Sequence, residues 1–293
     1  MKNRPIGIFD SGLGGLTCVK EVMKLLPNED IIYFGDTSRV PYGTRSVDTI
    51  VKYVRQDINF LKTFDIKMII IACGTASATA LEAVSGDYDV EILGVVEPAC
   101  EAAVKLSKSR KIGILGTQGT INSGKYVECI DKLVGAGSAR PQIQNPPSAY
   151  AATPFAKGGK IEVISQACPL FVPLVENGYL SGELPALAAR EYLQPLKDAE
   201  VDTVILGCTH YPLLSGVIRE FLGDDVALVD AGAAAANAAA KRLAELGLEN
   251  DSDEVGAVKY FVSDDVSGFS KLGGMFLERE ITTDVRKINI EEY

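Results

Sequence analysis

The chain has 293 residues and a mass of 31.3 kDa, with 47% hydrophobic residues, 23% charged residues and a formal net charge of −10. This soluble, globular profile excludes a disordered or collagen-like chain, and no apolar run reaches the 18 or so residues of a membrane span. The acidic balance, with a pI of about 4.8, argues against nucleic acid and against a membrane surface as partners; a small anionic ligand would have to be captured by local donors.

The first residues, MKNRPIGIFD, pass straight into a strand-like run with no signal-peptide core, so a cytoplasmic location is expected. Ile6–Asp10 reads as a short strand ending in the turn Ser11-Gly12-Leu13-Gly14-Gly15. Val47, Ile50, Val51, Val54, Ile58, Leu61 and Phe64 recur at helical spacing. Met68–Ala72 reads as a buried strand, Thr75–Val84 as a helix and Glu91–Val96 as a further strand. This alternation predicts an α/β domain with a mainly parallel sheet.

The pattern then repeats. Ile6-Gly7-Ile8-Phe9 resembles Ile112-Gly113-Ile114-Leu115, and both lead into small polar turns. The strand ending at Cys73 has a counterpart in 203–206, ending at Gly207-Cys208. The next strand of each copy is expected to end in an acid, Glu97 and Asp230. Extra residues in the second copy hold the Pro/Gly-rich stretch from Pro141 to Leu184, including Cys168-Pro169 and Glu176. After an Ala-rich helix (Ala233–Leu246) come a strand (Val258–Val262) and a helical segment (Asp265–Glu278). The expectation is two pseudo-symmetric α/β domains; if they face each other, Cys73 and Cys208 flank one cleft. The first is discontinuous, 1–98 plus 232–293, and the second is 99–231.

Ligands of parallel sheets bind beyond the carboxyl ends of the strands. Asp10-Ser11, Cys73-Gly74-Thr75 and Cys208-Thr209-His210 all fall there. Ser11, Thr75, Thr117 and Thr209 add hydroxyl donors suited to a carboxylate. Cofactor signatures fail: Gly12-x-Gly14 has Thr17 where the dinucleotide fingerprint needs a third glycine, and Gly119…Gly124-Lys125 is followed by Tyr126 rather than Ser or Thr. Six cysteines without C-x-x-C spacing and a single histidine argue against a zinc site. No cofactor and no metal are therefore expected. Cys18, Cys100 and Cys129 read as small buried hydrophobes. For Cys73 and Cys208 two readings stand: core residues at strand ends, or acid/base groups on opposite sides of one carbon. A thiol's reference pKa of about 8.5 suits proton transfer near neutral pH. His210, Asp10 and Glu176 are the residues to pair with them.

These segments resemble the glutamate racemases, cofactor-independent enzymes that supply D-glutamate for bacterial peptidoglycan. The resemblance rests on 7–15 (GIFDSGLGG), 33–43 (YFGDTSRVPYG), Ala72-Cys73-x-Thr75-Ala76-Ser77, 168–176 (CPLFVPLVE) and 207–214 (GCTHYPLL). It implies a two-base mechanism: one cysteine thiolate removes the α-proton and the other thiol delivers one to the opposite face. It assigns Asp10 to assist Cys73, and Glu176 and His210 to assist Cys208. Ser11, Pro41, Tyr42, Gly43, Gly74, Thr75, Thr117 and Thr209 would hold the substrate, and a homodimer is expected. Gly74 stands where many members carry asparagine, which removes one amide side chain from the site. Ala231 replaces an expected hydroxyl residue. Competing readings are a racemase for aspartate or another acidic amino acid, a cysteine hydrolase using Cys208 and His210, and a catalytically weak D-glutamate-binding paralogue.

Overall fold

The computed structural model describes residues 2–135, 153–155, 161–282 and 284–293. Among them are eleven strands: β1 (Ile6–Asp10), β2 (Ile31–Gly35), β3 (Met68–Ile71), β4 (Glu91–Gly94), β5 (Lys111–Gly116), β6 (Thr153–Phe155), β7 (Glu162–Ala167), β8 (Thr203–Leu206), β9 (Ala227–Asp230), β10 (Val258–Val262) and β11 (Val285–Lys287). They form two sheets, and the chain divides into two compact units, 1–95 plus 232–293 and 96–231. The first break therefore comes slightly earlier than the sequence reading placed it. The helix Val96–Leu106 starts directly after β4, so Val96, Glu97 and Pro98 belong to the second unit.

The first sheet has the order β11-β10-β2-β1-β3-β4 and is parallel throughout. Its strands are near-continuous apolar runs; β1, β2 and β3 are buried at every position, as expected when helices cover both faces. On one face Phe9, Ile32, Phe34, Ile69 and Ile71 pack with Ile50, Val54, Ile58 and Leu61 of the helix Val47–Lys62. The returning chain is fixed at the opposite end of the strands from the site. There the buried Lys67 ammonium meets Glu29 at 2.5 Å and donates to the Leu248 carbonyl at 2.8 Å.

The second sheet has the order β6-β7-β5-β8-β9, with only β6 antiparallel. Matching β5 to β1, β7 to β2, β8 to β3 and β9 to β4 makes the two central orders identical. The internal repeat thus becomes a repeated topology, and Cys73 and Cys208 follow equivalent strands. The start of the Pro/Gly-rich insertion, 141–152 and 156–160, lies outside the described residues.

Three expectations are corrected. The segment 75–84 is two short helices, Gly74–Thr79 and Leu81–Val84, because the chain bends at Ala80. β4 stops at Gly94, where a Cβ would lie 2.3 Å from the Ser77 hydroxyl. Glu97 consequently sits in the first turn of a helix rather than at a strand end, whereas Asp230 does close β9. No helix among the described residues is long and apolar enough to cross a membrane.

Candidate active site

In the first unit, β1 and β3 are adjacent and in register, which brings their C-terminal residues together. Cys73 follows β3 by two residues and caps the helix Gly74–Thr79, its sulfur accepting from the Ala76 amide at 3.5 Å. The thiol lies 3.7 Å from the Ser11 hydroxyl oxygen. Asp10, at the tip of β1, is buried and accepts from the Gly12 amide through Oδ2 at 3.0 Å. Tyr33 of β2 closes the floor, donating to the Gly12 carbonyl at 2.7 Å. Burial, then the charges of Asp10 and the neighbouring thiols, raises the Tyr33 phenol well above its ordinary pKa, so it stays a neutral donor. Gly35 makes this turn possible, since a Cβ there would meet the Gly12 carbonyl oxygen at 2.4 Å.

Thr75 is buried beside Cys73, and Gly74 is the first residue of the same short helix. Pro41, after a cis peptide bond, leads into the 3₁₀ turn Tyr42–Thr44 that contains Gly43. Tyr42 is the first residue of that turn. It is buried, and its hydroxyl faces inward, 2.5 Å from Asp36 Oδ2 and 3.0 Å from Asp57 Oδ2.

In the second unit, β8 delivers Cys208 beside β5, with Gly207 packed so that a Cβ would approach the Leu115 carbonyl oxygen to 2.7 Å. Cys208 Sγ lies 3.9 Å from His210 Nδ1, and the Thr209 hydroxyl is 3.3 Å from the same nitrogen. His210 Nε2 lies 3.0 Å from Glu176 Oε1 at the end of the helix Phe171–Glu176. An ionised carboxylate only accepts, so this contact puts the imidazole proton on Nε2. Nδ1 is then a lone pair facing the Cys208 thiol and the Thr209 hydroxyl. The support is rigid: Tyr211 donates to the Cys168 carbonyl at 3.0 Å and meets the Phe171 ring edge-on at a centroid distance of 5.3 Å. Thr117 caps the helix Gln118–Asn122, its oxygen accepting from the Thr120 amide at 3.2 Å.

Each unit thus carries a thiol at the end of an equivalent strand, with an acid close by in sequence or space. Sequence reading missed Asp36, Arg39 and Asp57, which hold the Pro41–Gly43 loop from beneath. A visible signal was the presence of Asp36 and Arg39 inside an otherwise apolar and small-residue stretch.

The Asp/Glu/hydantoin racemase family model matches residues 16–239. The chain is 43% identical over 288 residues to a glutamate racemase of Geobacter metallireducens, covering 98% of this chain and 97% of that one. Among solved structures it resembles glutamate racemase isoform RacE1 from Bacillus anthracis, with a TM-score of 0.86 and 33% identity over 98% of both chains. It also resembles the glutamate racemase of Francisella tularensis subsp. tularensis in complex with D-glutamate, with a TM-score of 0.85 and 37% identity over 100% of both chains.

Proposed function

From the premise that the chain belongs to the Asp/Glu/hydantoin racemase family, we propose that it interconverts L- and D-glutamate by proton transfer at Cα between two cysteines. The observation that carries this reading is the pair of thiols at equivalent strand ends of a duplicated sheet order, in a chain similar to glutamate racemases along nearly its whole length.

In this reading the two thiols act on opposite faces of one α-carbon. Starting from one enantiomer, the Cys73 thiolate takes the α-proton while the Cys208 thiol protonates the other face. The reverse reaction exchanges the roles. Asp10 receives or returns the proton on the Cys73 side. On the Cys208 side, His210 Nδ1 does so, oriented by Glu176. The carbanion-like transition state places charge on the α-carboxylate, where aligned donors lower the barrier. Ser11, Thr75, Thr117, Thr209 and the backbone of Pro41, Tyr42, Gly43 and Gly74 are the groups assigned to bind the two carboxylates and the amino group. Glycine at 74 leaves the amide N–H accessible to substrate. The chemistry needs no cofactor. The reading extends to a cytoplasmic homodimer that supplies D-glutamate to the cell wall.

Circular dichroism tests the substrate assignment. L-Glutamate should lose its signal in a reduced sample without added cofactor, while L-aspartate is turned over at least about 100-fold more slowly, since a missing methylene misplaces the side-chain carboxylate. Faster loss of the L-aspartate signal would transfer the assignment to aspartate.

A further inference from the structure

Under the Pro41–Gly43 loop lies a polar cluster whose hydrogen atoms can be counted. Asp36 Oδ1 accepts from the Ser263 hydroxyl at 2.8 Å; that hydroxyl's oxygen is itself taken by the Ser38 amide at 2.9 Å, so its hydrogen points to Asp36. Asp36 Oδ2 accepts from Arg39 Nε at 2.6 Å and has the Tyr42 oxygen at 2.5 Å. Asp36 is thus surrounded by donors. Asp57 accepts from Arg39 through Oδ1 at 3.1 Å, and its Oδ2 is 3.0 Å from the same Tyr42 oxygen. Tyr42 has one hydrogen for two carboxylates. Once it is given to Asp36, the shorter contact, the Asp57 contact closes only if Asp57 brings a proton of its own.

We propose that Asp57 is a neutral carboxylic acid in the folded protein and acts with Arg39 as a positioning residue for the Pro41–Gly43 loop. Asp57 donates to Tyr42, and Tyr42 donates to Asp36. One buried ion pair, Asp36 with Arg39, then balances the interior charge, and every polar atom of the Tyr42 side chain is used. Asp57 itself is fully buried. Burial, then the Asp36 charge, pushes its carboxyl well above the usual range, while Arg39 opposes this less strongly. The other groups facing the cluster are consistent with it. Tyr53 lies under the guanidinium at 4.0 Å, Gln56 Oε1 accepts from Arg39 at 2.6 Å, and Asp10 adds a further negative field. Glu291, at 3.5 Å from Arg39, is half exposed and is balanced by Lys52 at 3.9 Å. Fixing Tyr42 fixes the backbone of the residues on either side, so the cluster reaches the substrate only through the loop.

The positioning role rests on the reading that this loop binds glutamate; the protonation state does not. Two measurements separate them. Asp57→Asn keeps a donor for Tyr42 and an acceptor for Arg39, whereas Asp57→Ala keeps neither. The alanine variant should raise KM for glutamate about tenfold with a smaller change in kcat, as expected for a displaced binding loop, and asparagine should rescue most of that loss. The second measurement is the melting temperature of Asp57→Asn and wild type from pH 4 to pH 8. A folded-state pKa raised above the unfolded value of about 3.9 means that wild type loses stability as pH rises through this range. The Tm of Asp57→Asn minus that of wild type should therefore grow with pH. A difference that shrinks with pH overturns the neutral acid, whether or not the alanine variant folds. Equal KM losses in both variants overturn the positioning role. If wild type racemises no glutamate, the proposed function and the positioning role fail together, and the melting series still decides the protonation state.

Discussion

His210 shows how much a single neighbour can decide. Its Nε2 faces Glu176 at 3.0 Å and its Nδ1 faces Cys208 at 3.9 Å and Thr209 at 3.3 Å. Under the two-cysteine account Glu176 never touches substrate and acts only through the imidazole. His210→Asn should lower kcat/KM by about 10², and Glu176→Gln by less, because an amide can still accept from Nε2 without enforcing the tautomer. The double variant should be no slower than His210→Asn, the non-additivity of groups in series. The enantiomers have equal free energies, so each loss must be the same measured from L- or D-glutamate. Steady-state kinetics of the three variants checks all of these points, and additive losses would detach Glu176 from His210. The two thiols, His210 and Asp10 could be singled out in the sequence because they sit where apolar strands stop, whereas Glu176 closes a helix. Asp57 could not be singled out. It lies inside an amphipathic helix (Val47–Lys62) whose charged residues mostly face solvent, and helical periodicity alone gives no reason to single out one buried acid.

At the scale of elements, strand ends do the positioning, and their other ends bear the load of holding register. Asp202, just before β8, accepts from the Ser107 hydroxyl at 2.7 Å and from the amides of Lys108 and Ser109 at 2.7 and 2.5 Å. It thereby ties the turn before β5 to β8, the two strands that lead to Thr117 and Cys208. Burial is the largest single influence and raises its carboxyl, but the hydrogen bonds from Ser109, Ser107 and Lys108 together outweigh it and bring it to about 2. The depressed value means that the stabilisation is present above the unfolded pKa of about 3.9 and disappears as pH falls toward 2. Asp202→Asn should accordingly lower the melting temperature near pH 6 by a few degrees and flatten its decline in acid, as followed by thermal melts across pH 2–6; an unchanged acid limb would assign that decline to other carboxylates. β1, β3, β8, β9 and β10 were readable as short apolar runs between turn signals. β2 and β7 were not singled out: Ile31–Gly35 lies in a stretch with no alternation, and Glu162–Ala167 mixes polar residues into a strand buried at five of its six positions. The break at Ala80 was equally hidden, because alanine and threonine carry no helix-stop signal.

For the whole molecule, the duplication is visible in the sequence because Ile-Gly-Ile and the strand–cysteine ends recur in order. The structure turns that into two sheets sharing one central strand order. The return of the C-terminal segment to the first unit was also legible, since the second repeat closes at Asp230 and a strand and helix remain. Its consequence was not: 290–292 packs on the helix Val47–Lys62, and Glu291 reaches Arg39 below the Pro41–Gly43 loop, a contact of residues 252 apart in the chain. Such long-range closure leaves no local trace in sequence.

Whether two cysteines serve opposite faces of one carbon is decided by isotope exchange. A single enantiomer of glutamate is incubated with the protein in D₂O, stopped at low conversion, resolved chirally and read for α-deuterium. The two-cysteine account predicts a product enantiomer fully deuterated at Cα and remaining substrate that is still largely protiated. It also predicts a rate reduced by at least about 10² in both Cys73→Ser and Cys208→Ser. A product that retains the original α-proton, or a serine variant that racemises at the wild-type rate, would contradict it.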